Sequence, residues 1–456
     1  MRRHAILVVA TAALSALAVG LARSAPAPAP LTDDVKRAVV ASASKALAEG
    51  YIYPDRGVAA GQKIQQALDA GAYAAITDRA AFAARLTADL QSVTHDKHMH
   101  ALDSLGPPPA DMPPPPPPSF AGFIRVDRLK GNIGYIDLSG FIGPGMFKDG
   151  ADEAMKAVAG ADALIIDLRR NYGGSPESVS YLCSFLFDPA HPAHLNDLIW
   201  RNKGTETYET RTFFTGATPT HYLGKPVILI TSPRTFSGGE EFANDLQVQK
   251  RATLVGETTG GGANPGGMSQ LGSGFLLFVP SGRAVNPVTK TSWEGVGVKP
   301  DRPTDAQHAF GVAMLAALKA APPSKARAAL IKTAAAGPSE VDAWSEASLV
   351  KRRTGPTPGH EEVLRRLIAT AAGGSLGDQP VTPDFARAVQ PQLATTKADL
   401  TALGALQSVT FERVDELGSD VYRTTFEHGA LDWIFYVTAE GKVANAFYRK
   451  VPPAAS

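Results

Sequence analysis

The sequence predicts an α/β core with a helical segment before it and a helical plus antiparallel β extension after it. Three observations predict this. Between residues 120 and 305, short apolar runs bounded by Gly and Pro alternate with amphipathic segments of helical period. Residues 31–105 are Ala-rich and carry their apolar residues at helical spacing. From Leu406 to Val451, four β-rich runs are joined by turns at Gly418, Gly429 and Gly441.

In chain order, Arg2 and Arg3 precede an uncharged apolar run, Ala5 to Leu21, and then Ala22-Arg-Ser24. This pattern predicts a secretory signal peptide over 1–24, with periplasmic or secreted localisation and no stable membrane span after processing; an uncleaved anchor is the other reading. Alternating Ala and Pro over 26–30 form a stiff tether. An N-terminal helical domain follows over 31–105. Val35, Val39, Val40 and Ala43, then Phe82, Leu86 and Leu90, mark its helices, and Tyr51-Ile-Tyr-Pro-Asp55 breaks the first two. Nine prolines in the twelve positions 107–118 make 106–119 a polyproline II linker.

The core, 120–305, contains buried strands at Ile133–Leu138, Ala163–Leu168, Pro226–Ile230 and Ala252–Val255, with helices at 146–159, 175–187 and 238–249. A helical segment spans 306–373. A C-terminal α+β accessory domain spans 374–456, a meander packed on a helix around 383–404. Tyr422, Trp433 and Phe447 in that meander read as core at strand alternation, and the domain as accessory or dimer-forming.

Composition excludes several classes of function. Forty-five Lys and Arg against 44 Asp and Glu leave a charge of +1, which argues against a nucleic-acid partner held by a general basic field. The single Cys183 rules out an intrachain disulfide and a Cys-based zinc site, and its apolar surroundings predict a core thiol. Three of the ten His fall at His95, His98 and His100, without the i, i+4 spacing of helical zinc pairs, so no metal and no cofactor are expected.

The 43 Gly concentrate, within the core, at Gly173-Gly174, Gly238-Gly239 and Gly260-Gly261-Gly262, each after a predicted strand, where α/β folds place their sites. Asp167-Leu-Arg-Arg-Asn-Tyr-Gly-Gly174 is either an ordinary tight turn or a turn with free N–H groups for an oxyanion. Ser237, before a helix opening with Glu240 and Glu241, is either an N-cap or a nucleophile whose oxyanion the Gly238 N–H receives. Thr235 breaks the G-x-S-x-G elbow, and the absence of Gly-Lys-Ser/Thr excludes a P-loop.

These stretches, with Gly256-Glu-Thr-Thr-Gly260, Val279-Pro-Ser-Gly-Arg283 and Trp293-Glu-Gly-Val-Gly-Val-Lys-Pro-Asp301, resemble the C-terminal processing (tail-specific) peptidases. The resemblance covers roughly 30–305 and is closest to the branch of the tricorn core and the photoreceptor retinoid-binding protein. It implies a ClpP/crotonase-like core and a serine endopeptidase acting on peptides or unfolded protein tails, possible as a homo-oligomer. Ser237 matches the nucleophile. The lysine that bacterial members use falls at Gly262. The tricorn-like branch uses a histidine and a glutamate, matched by His98 and Glu294. Gly238 with Gly174 or Gly173 would form the oxyanion hole, and Gly260, Gly261 and Gly262 would bind substrate. Lys97 stands where the branch usually has serine, and 106–120 leaves no room for the PDZ domain of many relatives. The alternative is a non-catalytic binder of peptides or apolar ligands on the same fold.

Overall fold

A computed structural model describes residues 31–104, 119–336 and 353–451. The expected signal peptide, and the Pro-rich linker apart from Ser119, lie outside the described residues. No helix among the described residues is long and apolar enough to cross a membrane.

Three helices open the chain: α1 (Asp33–Gly50), α2 (Pro54–Asp69) and α3 (Arg79–Thr94). The Thr32 hydroxyl caps α1 by accepting from Val35 N–H, and Asp78 caps α3 by accepting from Ala81 N–H. The chain breaks between α1 and α2 at 51–53, because Pro54 restricts Tyr53 to extended backbone and then starts the next helix. Strand β1 (His100–Asp103) follows α3 and pairs antiparallel with β10 (Phe275–Pro280), His100 opposite Phe278; β9 (Gly266–Gly272) completes this sheet. Val39, Leu47, Ile64, Phe82, Leu86 and Met99 share one core with Phe275, Leu277 and Val279. The helical segment and the later part of the core are therefore one packed unit.

The central sheet has the order β12-β8-β7-β4-β3-β2. Its strands are β2 (Phe123–Leu129), β3 (Ile133–Leu138), β4 (Ala163–Asp167), β7 (Val227–Thr231), β8 (Thr253–Gly256) and β12 (Arg302–Pro303). All neighbours are parallel except β2 and β3. Every residue of β3, β4 and β7 is buried, as expected of parallel strands covered on both faces. Leu164, Ile166 and Leu229 face α4 (Pro144–Val158), α5 (Pro176–Ser184) and α6 (Gly238–Val248). The alternate residues Ile165, Ile228 and Ile230 face α7 (Ala309–Ala320) and α8 (Lys325–Ala336). Each fully buried Leu or Ile contributes about 1.5–3 kcal/mol. Cys183 is fully buried in the first of these layers, a core thiol.

A third sheet, β11-β5-β6, was not expected from the sequence. In it β5 (His194–Arg201) pairs with β6 (Tyr208–Phe214) and β11 (Gly282–Val285). Strand β6 is largely exposed on both faces, so no apolar alternation marks it. At the C-terminal end, α9 (His360–Ala372), α10 (Pro383–Val389) and α11 (Leu393–Leu403) pack on a meander β13-β14-β15-β16 (Leu406–Val414, Asp420–Phe426, Gly429–Val437, Val443–Lys450). The expected single helix at 383–404 is interrupted by a 3₁₀ turn at Gln390–Gln392, where Pro391 lacks the N–H that a continuous helix needs. Tyr422 and Trp433 are core, but Phe447 is exposed, on the face of its strand opposite the buried Ala446.

Candidate active site

The parallel strands β4 and β7 end side by side, and the turns that leave them meet. Asn171 carbonyl accepts from Phe236 N–H at 2.9 Å, and Leu168 carbonyl accepts from the Thr235 hydroxyl at 2.7 Å. These bonds fix the approach to Ser237, which precedes α6 with φ +52° and ψ −122°. A non-glycine residue in that region costs about 1–3 kcal/mol and persists only where its surroundings over-determine it. The Glu240 carboxylate supports it by accepting from Ser237 N–H at 2.9 Å.

Gly173 and Gly174 adopt φ +94° and +137°. A Cβ on Gly173 would lie 2.6 Å from Gly238 N and 2.7 Å from Ser237 Cβ, so only glycine lets the first turn approach the serine this closely. A Cβ on Gly238 would lie 3.1 Å from Gly174 N, which brings those two amides together. Among the described residues neither the Gly174 nor the Gly238 N–H makes a hydrogen bond. Two free N–H groups beside a strained serine can receive an oxyanion. Gly173 is corrected as a donor, because its N–H already donates to Asn171 Oδ1 at 2.9 Å.

The glycine turn 260–262 is organised by Glu240. Its buried carboxylate accepts from Gly261 N–H at 2.6 Å, Gly262 N–H at 2.8 Å and the Thr259 hydroxyl at 2.5 Å. Gly260 N–H donates to Thr235 carbonyl. The three carbonyls are also engaged, by Lys97 Nζ, Gly295 N–H and Trp293 Nε1 in turn. The amides and carbonyls of Gly260, Gly261 and Gly262 thus hold the turn itself, and what the three glycines offer a substrate is shape. Burial raises the Glu240 pKa, and its hydrogen bonds to Thr259, Gly262, Gly261 and Ser237 oppose that.

His98 arrives from the other side of the cleft. Helix α3 ends with His95 at φ +55°, the chain reverses, and Asp96 Oδ1 accepts from His98 N–H at 3.0 Å. Met99 anchors the segment in the helical core, so its neighbour His98 faces the cleft, between Phe236 and Phe278 with ring centroids 4.6 and 5.8 Å away. A Cβ on Gly262 would lie 2.2 Å from the Phe236 ring and 2.7 Å from His98 Cε1. His98 and Phe236 thus fill the room that a side chain at position 262 would need. Glycine at position 262 is therefore what leaves room for both rings. Lys97 turns outward to the Gly260 carbonyl, 2.5 Å away, and ties the histidine segment to the glycine turn.

Glu294 docks with that turn, since its neighbours Trp293 and Gly295 donate to Gly262 and Gly261 carbonyls. Its Oε2 accepts from Ala263 N–H at 2.5 Å. His98, Glu294 and Asp96 lie together, with one potential ligand atom of each within 4.8 Å of the others. Asp96 Oδ1 is 4.0 Å from His98 Nδ1, and Asp96 Oδ2 accepts from Asn264 Nδ2 at 2.9 Å and Tyr51 hydroxyl at 3.3 Å. Both ring nitrogens of His98 are buried without a hydrogen bond, so none joins His98 to Ser237. Burial, with a smaller contribution from His100, lowers the His98 pKa to about 3, which leaves the ring neutral at pH 7. Burial, with the nearby Asp96 charge, raises Glu294 to about 7.

Asp96, Glu240 and Phe236 were not singled out from sequence. Only Asp96 carried a signal, its place two residues before His98; the other two act through contacts that sequence spacing does not show.

Residues 132–304 match peptidase family S41, and residues 33–120 match the N-terminal domain of peptidase S41 in eukaryotic IRBP. The chain is 30% identical over 175 residues to the chloroplastic carboxyl-terminal-processing peptidase 2 of Arabidopsis thaliana; the match covers 38% of this chain and 32% of that protein. Among solved structures, the tricorn protease aligns at 13% identity and TM-score 0.41, over 66% of this chain and 37% of that one. The photosystem II D1 C-terminal processing protease aligns at 14% identity and TM-score 0.39, over 60% of this chain and 93% of that one. Residues 33–120 and 132–304 are thus peptidase S41 family domains.

Proposed function

We propose that the protein is an exported serine endopeptidase that hydrolyses peptide bonds in peptides or unfolded protein tails. The observation that carries this reading is the strained backbone of Ser237 beside two free amides, Gly174 and Gly238 N–H. Strain of this kind clusters at functional sites. In the proposed reaction His98, neutral at pH 7, takes the Ser237 hydroxyl proton as the oxygen attacks the scissile carbonyl. The tetrahedral oxyanion is received by Gly174 and Gly238 N–H. His98 then returns the proton to the leaving amine, and water hydrolyses the acyl-enzyme by the same path. Glu294, with Asp96, orients the imidazole and stabilises its charged form. The ring must turn toward Ser237 for this, in keeping with catalytic hydrogen bonds that tighten only on substrate binding. Export is supported by the Arg2-Arg3 and apolar pattern of residues 1–24.

A second reading, a non-catalytic binder of peptides or apolar ligands, is favoured by one observation: His98 makes no hydrogen bond to Ser237. Incubation with unfolded protein and a broad peptide library separates the two. The peptidase reading expects cleavage by the wild type and none above background by Ser237→Ala or His98→Ala. Equal cleavage by all three would remove the mechanism, and binding without cleavage by the wild type would favour the binder.

A further inference from the structure

Four buried polar atoms around His98 have no partner: His98 Nδ1, His98 Nε2, Glu294 Oε1 and Asn264 Oδ1. Asn264 belongs to the same cluster, because its Nδ2 holds Asp96. Leaving a buried polar atom unsatisfied is destabilising, so four in one place point to something the site is built to receive. The cluster also encloses two carboxylates, Asp96 and Glu294, and among the described residues neither forms an ion pair with a lysine or arginine. Each is raised above its ordinary pKa, by burial first, and Asp96 adds to the shift of Glu294.

We propose that Asp96, His98 and Glu294 form a site for a zinc ion that blocks the peptidase. One imidazole nitrogen and two carboxylate oxygens are a borderline-soft donor set that suits Zn²⁺. Zn–N and Zn–O bonds of ~2.0–2.2 Å place tetrahedral donors about 3.4 Å apart. The separations, 4.0 Å from Asp96 Oδ1 to His98 Nδ1 and at most 4.8 Å within the set, close to this with side-chain shifts of about an ångström. Two positive charges would offset both carboxylates, a balance that a neutral imidazole cannot supply. Zn²⁺ on a His98 nitrogen takes up a lone pair, and the base is disabled. The blocking effect rests on the peptidase reading; the ion site does not. The ligands come from two separate segments, 96–98 and 294, so the helical spacing rule that argued against a zinc site does not apply to them.

The test uses full-length, chelator-stripped Ser237→Ala protein, whose ligand set is intact and which cannot digest itself. Titration with zinc against a chromophoric chelator is expected to show one equivalent bound. Cobalt(II) in its place is expected to give the visible absorption of a four-coordinate ion. Glu294→Gln and His98→Gln should each weaken binding by at least about tenfold, whereas His191→Ala, an exposed histidine, should not. Circular dichroism confirms that each variant is folded. No zinc bound, or zinc bound equally by the Glu294→Gln and His98→Gln proteins, overturns the site. Wild-type hydrolysis measured in parallel keeps the two ideas apart. Peptide cleavage with no zinc bound sinks only the zinc site, and zinc bound as expected with no cleavage after chelation sinks only the peptidase reading.

Discussion

Among the described residues two buried histidines, His98 and His360, lie beside aspartates, and their surroundings differ. At the C-terminal end, His360 Nδ1, at the start of α9, pairs with Asp420 Oδ2 on β14 at 2.7 Å. Asp420 also accepts from Arg353 at 2.9 Å and from Thr357 N–H at 3.0 Å. Burial alone would raise the Asp420 pKa, but His360, Thr357 and Arg353 together hold it below its ordinary value. In the core, His98 has an aspartate at 4.0 Å and no hydrogen bond on either nitrogen. The first histidine is satisfied and acts as a structural tie. The second is left unsatisfied against Phe236, the residue before the strained serine, and a buried polar group kept at that cost supports the proposed chemistry.

Exchanging the two histidines should separate activity from stability. His98→Gln is expected to lower kcat/KM for peptide cleavage by about 10²–10⁴-fold, with the unfolding midpoint little changed. His360→Ala is expected to leave kcat/KM unchanged and to cost about 1–3 kcal/mol of stability, because Asp420 keeps its burial and loses a partner. Thermal unfolding beside steady-state kinetics reads both. If the two substitutions have the same profile, the contrast is wrong.

A lysine returned to position 262 tests the steric argument. Its Cβ would collide with the Phe236 ring and His98, so Gly262→Lys should lose at least about tenfold in kcat/KM rather than install a second base. Activity retained at wild-type level would show that His98 does not need that space.

Smaller effects follow from pH. If the ionised Glu294 supports His98, kcat/KM should rise with pH through an apparent pKa near 7, and Glu294→Gln should lack that inflection. Stability should respond in the opposite sense. The folded pKa of Glu294 lies above its unfolded value of 4.5, so the folded state binds the extra proton and stability falls as pH rises from about 4.5 to 7. For His98 the folded pKa lies below the unfolded 6.5, so stability falls as pH drops from about 6.5 toward 3. Chemical denaturation of wild type and Glu294→Gln between pH 5 and 8 should show the variant less sensitive to pH above 5, by about 1 kcal/mol or less after solvent screening.

What was legible in the sequence was what depends on local pattern. The apolar runs Ile133–Leu138 and Pro226–Ile230 announce central strands, and Pro176 announces a helix start. Ser237 stood out because a strand-to-helix turn with Gly-Gly is local as well. His98 and Glu294 came into view through family resemblance, since nothing in their own segments says that they meet. Glu240 looked like an ordinary first-turn acid. Its hold on Gly261 and Gly262, 21 and 22 residues away, exists only in three dimensions. The hairpin of β5 and β6 was missed because an exposed strand carries no apolar alternation.

The central claim is that Ser237 is a nucleophile with an available base, and covalent trapping tests it most directly. Chelator-treated wild-type protein would be incubated with a fluorophosphonate probe and digested, and the modified peptide located by mass spectrometry. The account predicts a single phosphonylated site at Ser237, with labelling much slower in His98→Gln and unaffected in His360→Ala. No adduct at Ser237, or labelling at the same rate in His98→Gln, would contradict it.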